Sequence, residues 1–502
     1  MIRRRVCAEP AFYYSDEIGR SPMSEFYDAV DEVIGDWDAV ALPLTHAFSR
    51  TLGRPTDPVL YLKMFLIGYF QNVVYDTRLV AICSDSMAIR RFLGLTLSDR
   101  VPDHSRVSAV RASFAEHCSL QRALERVVDL CVLAGLVDGR SVSVDTTLIK
   151  ANASLKNLHC LDTNGSVGEH LKQARESGQK PTVTNAQFYS PGDPEARVRK
   201  KGPDKAAMCY TGVHVTDSKA QVILAARMDY GDAAEVSASL PAVAQAQETL
   251  AKSGKQMDVV AADKGFDVIE FHTKLEAAGL RPATFSIRVN QVEGRFNRSD
   301  FEFDASNNLY RCPWGKELNC RGPKGAGFAY VAKISDCSGC PLKHRCLGEK
   351  SERKELSRTT GEDASERNKQ FASSREGRKH LKKRGHTVEP PFGHLKRYGG
   401  LERVNCQGLA KADAKLVIGA MAWNILKLVK SRPRPVGQGK SAPRTQPIPP
   451  GTLQAAIQLA KEGSAFLHLG GQNLLRALRL TLVAAIARVR NAVAVAHAQT
   501  CV

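Results

Sequence analysis

Three acidic residues stand where a carboxylate is costly unless it has a task. Asp145 lies in Ser141–Ser154, SVSVDTTLIKANAS, where Val142, Val144 and Leu148 mark a short buried strand. Asp263 follows Val259-Val260-Ala261-Ala262 in DVVAADKGF, a second apolar run that ends in a Gly-containing turn. Glu389 sits in HTVEPPFGHLKR, within a heavily basic stretch: Arg367–Arg403 holds 11 Lys or Arg against Glu376, Glu389 and Glu402. Three separated acids suit two-metal phosphoryl transfer, because Mg²⁺ or Mn²⁺ takes oxygen ligands and leaves positions open for phosphate and water. The competing role for an isolated Glu among cations is that of a salt-bridge partner.

The chain of 502 residues is long enough for two or three domains, and 43% hydrophobic residues mark it as globular. Lys and Arg number 71 against 52 Asp and Glu, a formal charge of +19. That excess points to a polyanion, first of all nucleic acid. No signal peptide or uninterrupted apolar span is visible, so we expect a cytoplasmic protein without membrane contact. Thirteen cysteines, an odd number, do not describe a secreted disulfide framework.

These acids need elements to position them. Asp57-Pro58 reads as a helix start followed by Leu62, Phe65, Leu66 and Tyr69 on one face, Asp103 as a further cap, and Gly135 as a stop. Residues 1–136 therefore form an all-helical N-terminal domain, whose Arg78, Arg90, Arg91, Arg106 and Arg111 offer either a DNA-facing surface or a solvated helix face. Asn152–Lys205 reads as a long inserted loop ending in Arg197, Arg199, Lys200, Lys201 and Lys205. A hairpin follows, Tyr210–Val215 and Val222–Met228 about the turn at Asp217, then helix, strand, helix and strand through Val289. The order describes a mixed α/β sheet with acids at strand ends, that of a ribonuclease H-like core over 137–430 with inserted loops.

An insert at about 295–350 carries Cys312, Cys320, Cys337, Cys340 and Cys346. Cys337-Ser-Gly-Cys340 has the spacing of half a zinc knuckle, with Cys312 and either Cys320 or Cys346 to complete it; zinc and free thiols stand as equal alternatives. Residues 431–451 hold six prolines and read as a linker, and 452–502 as an amphipathic helical tail with Leu475, Leu478, Leu482 and Ile486 at helical spacing.

With these residues in place the chain resembles the DDE transposases of bacterial insertion sequences, in particular the IS1182-like branch of the IS4/IS5 group. YDTRLVAICSDSMAIRRFLG and PDHSRVSAVRASF resemble their N-terminal domain, SVDTTLIKANAS the first-aspartate motif and AADKGFD the second. RGHTVEPPFGHLKRYGG resembles the glutamate motif, with Lys396 seven positions after the acid as that motif requires. The resemblance covers about 40–430. It implies that Asp145, Asp263 and Glu389 are the catalytic, Mg²⁺-binding triad and that Arg384, Lys396, Arg397, Arg199, Lys200 and Lys201 contact DNA. It further implies a homodimer in the DNA complex and Mg²⁺-dependent cleavage of element ends followed by strand transfer. One departure is Gly385, where IS4-type elements often carry Arg, with Arg384 one place earlier. The alternatives are a decayed transposase that only binds DNA, or a structure-specific nuclease.

Overall fold

Ser21, through its hydroxyl on the Ser24 N–H, caps the first helix of a computed structural model that describes residues 21–48, 57–116, 119–162, 166–178, 183–202, 205–285, 294–348 and 350–432. The Pro-rich segment after Arg432 and the 452–502 tail lie outside the described residues.

Helices α1 (Pro22–Ile34), α2 (Trp37–Ala41), α3 (Pro58–Phe70), α4 (Asp76–Asp85), α5 (Met87–Phe92), α6 (His104–Glu116) and α7 (Ser119–Leu133) come first. Asp57 starts α3 as expected, accepting from the Val59 and Leu60 N–H groups at 2.9 and 3.3 Å, with Pro58 in the position where a missing N–H costs nothing. α3 is buried nearly all round, because other helices enclose it. Two of the expected surface arginines are internal ties: Arg111 grips Asp76 through two bonds of 2.8 and 2.6 Å, and Arg90 donates to the Ser84 and Asp99 carbonyls. Arg91 pairs with Asp28 at 3.0 Å.

The sheet begins with β1 (Ser141–Lys150). The segment expected as a loop contains β2 (His159–Cys160), helix α8 (Val167–Glu176), β3 (Phe188–Tyr189) and β4 (Arg197–Arg199). Ser166 and Glu169 close a reciprocal capping box at the start of α8. Then follow β5 (Ala207–Asp217), β6 (Ile223–Tyr230), α9 (Glu235–Lys252), β7 (Val259–Ala262), α10 (Ile269–Ala277) and β8 (Arg281–Thr284). β5 is antiparallel to β1 and to β6, whereas β7 pairs parallel to β1 and β8 parallel to β7. β4 extends the β6 edge along the first part of β5. β1 is thus central, with strand neighbours on both sides.

The insert forms its own antiparallel sheet of β9 (Glu302–Asp304), β10 (Leu309–Arg311), β11 (Glu317–Lys324), β12 (Gly327–Ala332) and β13 (Glu355–Thr359), with short helices α11 (Ile334–Ser338) and α12 (Lys343–Cys346). It runs beyond the expected end at 350, because β13 pairs with β12 and completes the sheet. Its core is small: Phe301, Tyr310, Leu318, Tyr330, Ala332 and Leu356.

Three helices close the described chain: α13 (Glu362–Ser373), α14 (Arg375–Tyr398) and α15 (Leu409–Ser431). α15 packs against α1, α3, α6, α7 and β6, so one hydrophobic core runs from Tyr27 to Leu428 through both the helical layer and the sheet. It also seals the β6 edge with polar side chains. Asn424 both accepts from the Ile223 N–H and donates to the Ile223 carbonyl, at 2.8 Å each, and Asp413 accepts from the Met228 N–H at 2.7 Å.

Candidate active site

Ser141, Ser143 and Asp145 alternate with Val142 and Val144 along β1, so the pleat puts the polar set on one face and the apolar set on the other. In register with β5, Asp145 faces His214 and Ser143 faces Thr216. In register with β7, Ser143 faces Ala261, and two residues further along that register Asp145 is level with Asp263. Neighbouring strands lie about 4.8 Å apart, so the first two acids of the sequence argument meet on one face of the sheet. Asp263 caps the turn after β7, accepting from the Gly265 N–H at 2.8 Å.

Helix α14 covers this polar face and is held at three points. His380 Nδ1 shares a 2.8 Å hydrogen bond with Ser141 Oγ, Arg384 Nη2 donates to Asp145 Oδ2 at 3.0 Å, and Phe392 stacks on His214 with ring centroids 4.2 Å apart and planes at 7°. Spacings of four and eight residues put these three side chains along one side of the helix. The seat beneath is polar and under-satisfied: Ser143 Oγ, Thr216 Oγ1, both His214 ring nitrogens and Arg384 Nε are buried with no protein partner.

α14 runs through Pro390 and Pro391, which the sequence would read as a break. Pro390 has no N–H for the His386 carbonyl, and Gln221 Nε2 supplies the missing donor at 2.8 Å. Gln221 also accepts from Trp423 Nε1 on its carbonyl at 2.6 Å and from Lys427 Nζ on its Oε1 at 2.8 Å, while adopting φ 63°. One residue between β5 and β6 thus satisfies the backbone of the proline-containing turn around Glu389 and ties it to α15.

Glu389 is exposed, three residues before Phe392, with its Oε1 lying 3.2 Å from where a Cβ on Gly385 would be. A side chain at 385 would need this exposed carboxylate to shift by only a few tenths of an ångström, so space alone does not account for the glycine. Lys396, seven residues on, returns to the same side of the helix.

Electrostatics bind the group together. Burial pushes the Asp145 carboxyl up, Arg384 and the Thr146 N–H pull it down, Asp263 raises it and Lys201 lowers it. Burial and then the Lys201 charge hold Lys396 below the ordinary lysine value, with Glu402 opposing them. Lys201 is therefore within electrostatic reach of both Asp145 and Lys396. Of the other basic residues expected on DNA, Lys200 and Arg397 are exposed, and Arg199 donates from Nη1 to the Gly231 and Ala233 carbonyls at 2.9 Å each.

The structure thus brings together Asp145, Asp263 and Arg384, sets Lys201 within electrostatic reach of Asp145 and, separately, of Lys396 further along α14, and carries Glu389 on the covering helix. Among the described residues, no three His, Cys, Asp or Glu side chains are gathered tightly enough to hold a metal ion. Hence zinc has no support in the insert, where Cys312, Cys320, Cys337 and Cys346 pack as free thiols around the small core. Sequence reasoning did not single out Gln221, His214 or Glu235, which pairs with Lys201 at 3.2 Å. For Gln221 no local signal existed, since its bond to the His386 carbonyl joins residues 165 apart in the chain.

Two family models match the chain: one described as Transposase domain (DUF772) over residues 16–113, and one described as Transposase DDE domain over residues 311–429. The chain is an insertion-sequence DDE transposase. The IS1182-like branch is consistent with both matches. The second match begins inside the insert, at residue 311, and covers its five cysteines and the whole of α14, including Arg384, Glu389 and Lys396. No curated protein matches the transposase. Among solved structures, one that is similar is the piggyBac transposase synaptic complex with hairpin DNA, at 11% identity and a TM-score of 0.28, covering 80% of this chain and 74% of that one. Among the described residues of the transposase, no helix is long and apolar enough to cross a membrane.

Proposed function

We propose that Asp145, Asp263 and Glu389 are the carboxylate triad with which this transposase cuts the ends of its element and joins them to target DNA, on a ribonuclease H-like core. The observation that carries the reading is the meeting of Asp145 and Asp263 on adjacent parallel strands, beneath a helix whose Arg384 bonds Asp145 and whose next turn bears Glu389. The strand arrangement also favours it: β1 is central, antiparallel to β5 and parallel to β7, with Asp145 midway along β1, not at a strand end as the sequence suggested, and Asp263 just past the end of β7.

DDE transposases use divalent metal; the oxygen donors of Asp145 and Asp263 are of the type a hard cation takes, while Glu389, on α14, is not gathered with them among the described residues. Two like-charged carboxylates, one of them partly buried, repel each other until a cation lies between them. Asp145, Asp263 and Glu389 would hold Mg²⁺, which would supply positive charge to offset the negative charge that builds on the five-coordinate phosphorus in the transition state. The chain's own residues do the rest. Arg384 orients the Asp145 carboxylate. Lys201 and Lys396 face the phosphate that approaches the acids and offset its charge, and the α14 stack of Phe392 on His214 keeps water from the back of the site. Cleavage leaves a 3′-hydroxyl on the element end, and the same residues then present that hydroxyl to a target phosphate. No covalent link to the protein is needed.

DNA is the partner, with basic residues setting register on phosphates. Two ends must be joined to one target, so we expect a homodimer in the DNA complex, acting in the cytoplasm. The test is incubation of purified protein with duplexes carrying the inverted repeats that border its reading frame and a supercoiled target. Mg²⁺-dependent nicking with joined products supports transposition. Nicking without joining would make it a nuclease, and binding with neither would make it a DNA-binding remnant.

A further inference from the structure

Lys201 lies two residues beyond β4, and Glu235 is the first residue of α9. The two elements are locked together: Arg199 on β4 grips the Gly231 and Ala233 carbonyls of the turn that leads into α9. Gly231 has no room for a side chain, since a Cβ there would strike the Cys209 carbonyl of β5. This interlock delivers Glu235, with its side chain 24% exposed, to Lys201 Nζ at 3.2 Å.

Glu235 also lies close to the aspartates. A Cβ on Gly265 would be 2.8 Å from Glu235 Oε2 and 3.1 Å from Asp263 Oδ1, so the two carboxylate oxygens are within about 6 Å of each other. A fourth acid in this position does not serve general salt-bridge balance, because it adds negative charge where two aspartates already repel. It does serve to draw an ammonium toward them. The ammonium it draws belongs to Lys201, whose charge reaches Asp145 on one side and Lys396 on the other.

We propose that Glu235 and Lys201 act as one unit of the catalytic centre: Glu235 is a positioning residue that holds the Lys201 ammonium beside the aspartates, where it takes a nonbridging oxygen of a DNA phosphate next to the scissile bond. The inference rests on the triad reading for the location of the scissile bond. A lysine on a loop that follows a three-residue strand would otherwise swing freely, and an ordered ammonium lowers the cost of fixing the phosphate.

Simple charge counting and this inference make opposite forecasts. Neutralising an acid near DNA should tighten binding, whereas losing the residue that holds a phosphate-contacting lysine should weaken it. The experiment is a salt titration of binding, in EDTA, to a fluorescent duplex carrying the bordering inverted repeat, with wild type, Lys201→Gln, Glu235→Gln and the double variant. Each phosphate contact contributes about 0.9 to the slope of log affinity against log salt. Lys201→Gln should lower the slope by about 0.9, Glu235→Gln by about the same, and the double by about 0.9 rather than twice that. Lys201→Arg should keep the wild-type slope. A Glu235→Gln protein that binds with unchanged or greater affinity and slope overturns the unit, and so does a double variant whose losses add. Lys201 is exposed and its replacement leaves the fold intact, so an unchanged slope for Lys201→Gln alone also overturns it, whatever happens to Glu235. The readout contains no metal and no cleavage. Failure of wild type to nick DNA would defeat the triad reading and leave these slopes to decide the pair.

Discussion

Arg384→Gln isolates the pair on which the site's electrostatics turn. The Arg384 and Asp145 side chains are 12% and 23% exposed and meet at 3.0 Å. Removing one partner of a buried pair costs about 3–5 kcal/mol, because a charge is left buried and alone. The residual exposure of Asp145 discounts this to about 2–3 kcal/mol. The sign with pH follows from the carboxyl. Burial already raises Asp145 and Arg384 opposes that, so in Arg384→Gln the folded-state pKa climbs further above the unfolded value. A group whose folded pKa is raised favours the fold below its unfolded pKa and loses that contribution as pH rises through the folded one. The variant should therefore be least stable near pH 8 and approach wild type toward pH 4. Adding Asp145→Asn to Arg384→Gln should recover about 1–2 kcal/mol at pH 8. Urea melts at pH 4.5, 6 and 8 read all of this. A penalty that is the same at each pH, or a double variant no better than the single, would refute the electrostatic account and leave Arg384 as a packing residue.

Two further outcomes follow from the elements around the site. Gln221→Ala orphans the His386 carbonyl at the proline-containing turn and frees Trp423 and Lys427, so it should lower stability by about 1–3 kcal/mol and cut nicking far more than DNA binding; equal losses in both assays would deny its role in aiming Glu389. Asp413, pushed up to about 6 by burial on α15, costs ~3 kcal/mol when ionised, so Asp413→Asn should raise the melting temperature at pH 7.5, where its amide oxygen can still accept from Met228, and match wild type near pH 4. A variant less stable at pH 7.5 than wild type would show that the charge, through Arg227, contributes more than its burial costs.

Much of this was legible in the chain. The strands that carry Asp145 and lead into Asp263 were readable from their runs of Val and Ala, and the sheet brings the two aspartates level. The Asp57-Pro58 helix start held for the local reason given by its residue types. What stayed hidden depends on contacts distant in sequence. Arg111 looks like surface charge until Asp76, 35 residues earlier, folds against it, whereas Arg90 is tied locally to the Ser84 and Asp99 carbonyls. Pro390 and Pro391 look like a helix end until Gln221, some 170 residues earlier, supplies the donor they lack. The 152–205 segment read as loop by its Gly, Pro and polar content, although Ser166 and Glu169 at capping-box spacing marked α8. Glu235 had no local signal, since only the Arg199 grip on its turn brings it to Lys201.

The central claim is that three carboxylates act as one on DNA. It is tested most directly by measuring Mg²⁺-dependent nicking of the inverted-repeat duplex by Asp145→Asn, Asp263→Asn, Glu389→Gln and the triple variant, beside a melting curve and a binding titration for each. These changes nearly conserve volume, so folding and DNA binding should survive in all four. Nicking should be lost in each single variant to about the extent of the triple, the non-additivity of residues that work as a unit. Normal nicking by Glu389→Gln would transfer the role to Glu376 or Glu402 and contradict the triad, and unfolding of all the variants would show the acids to be structural.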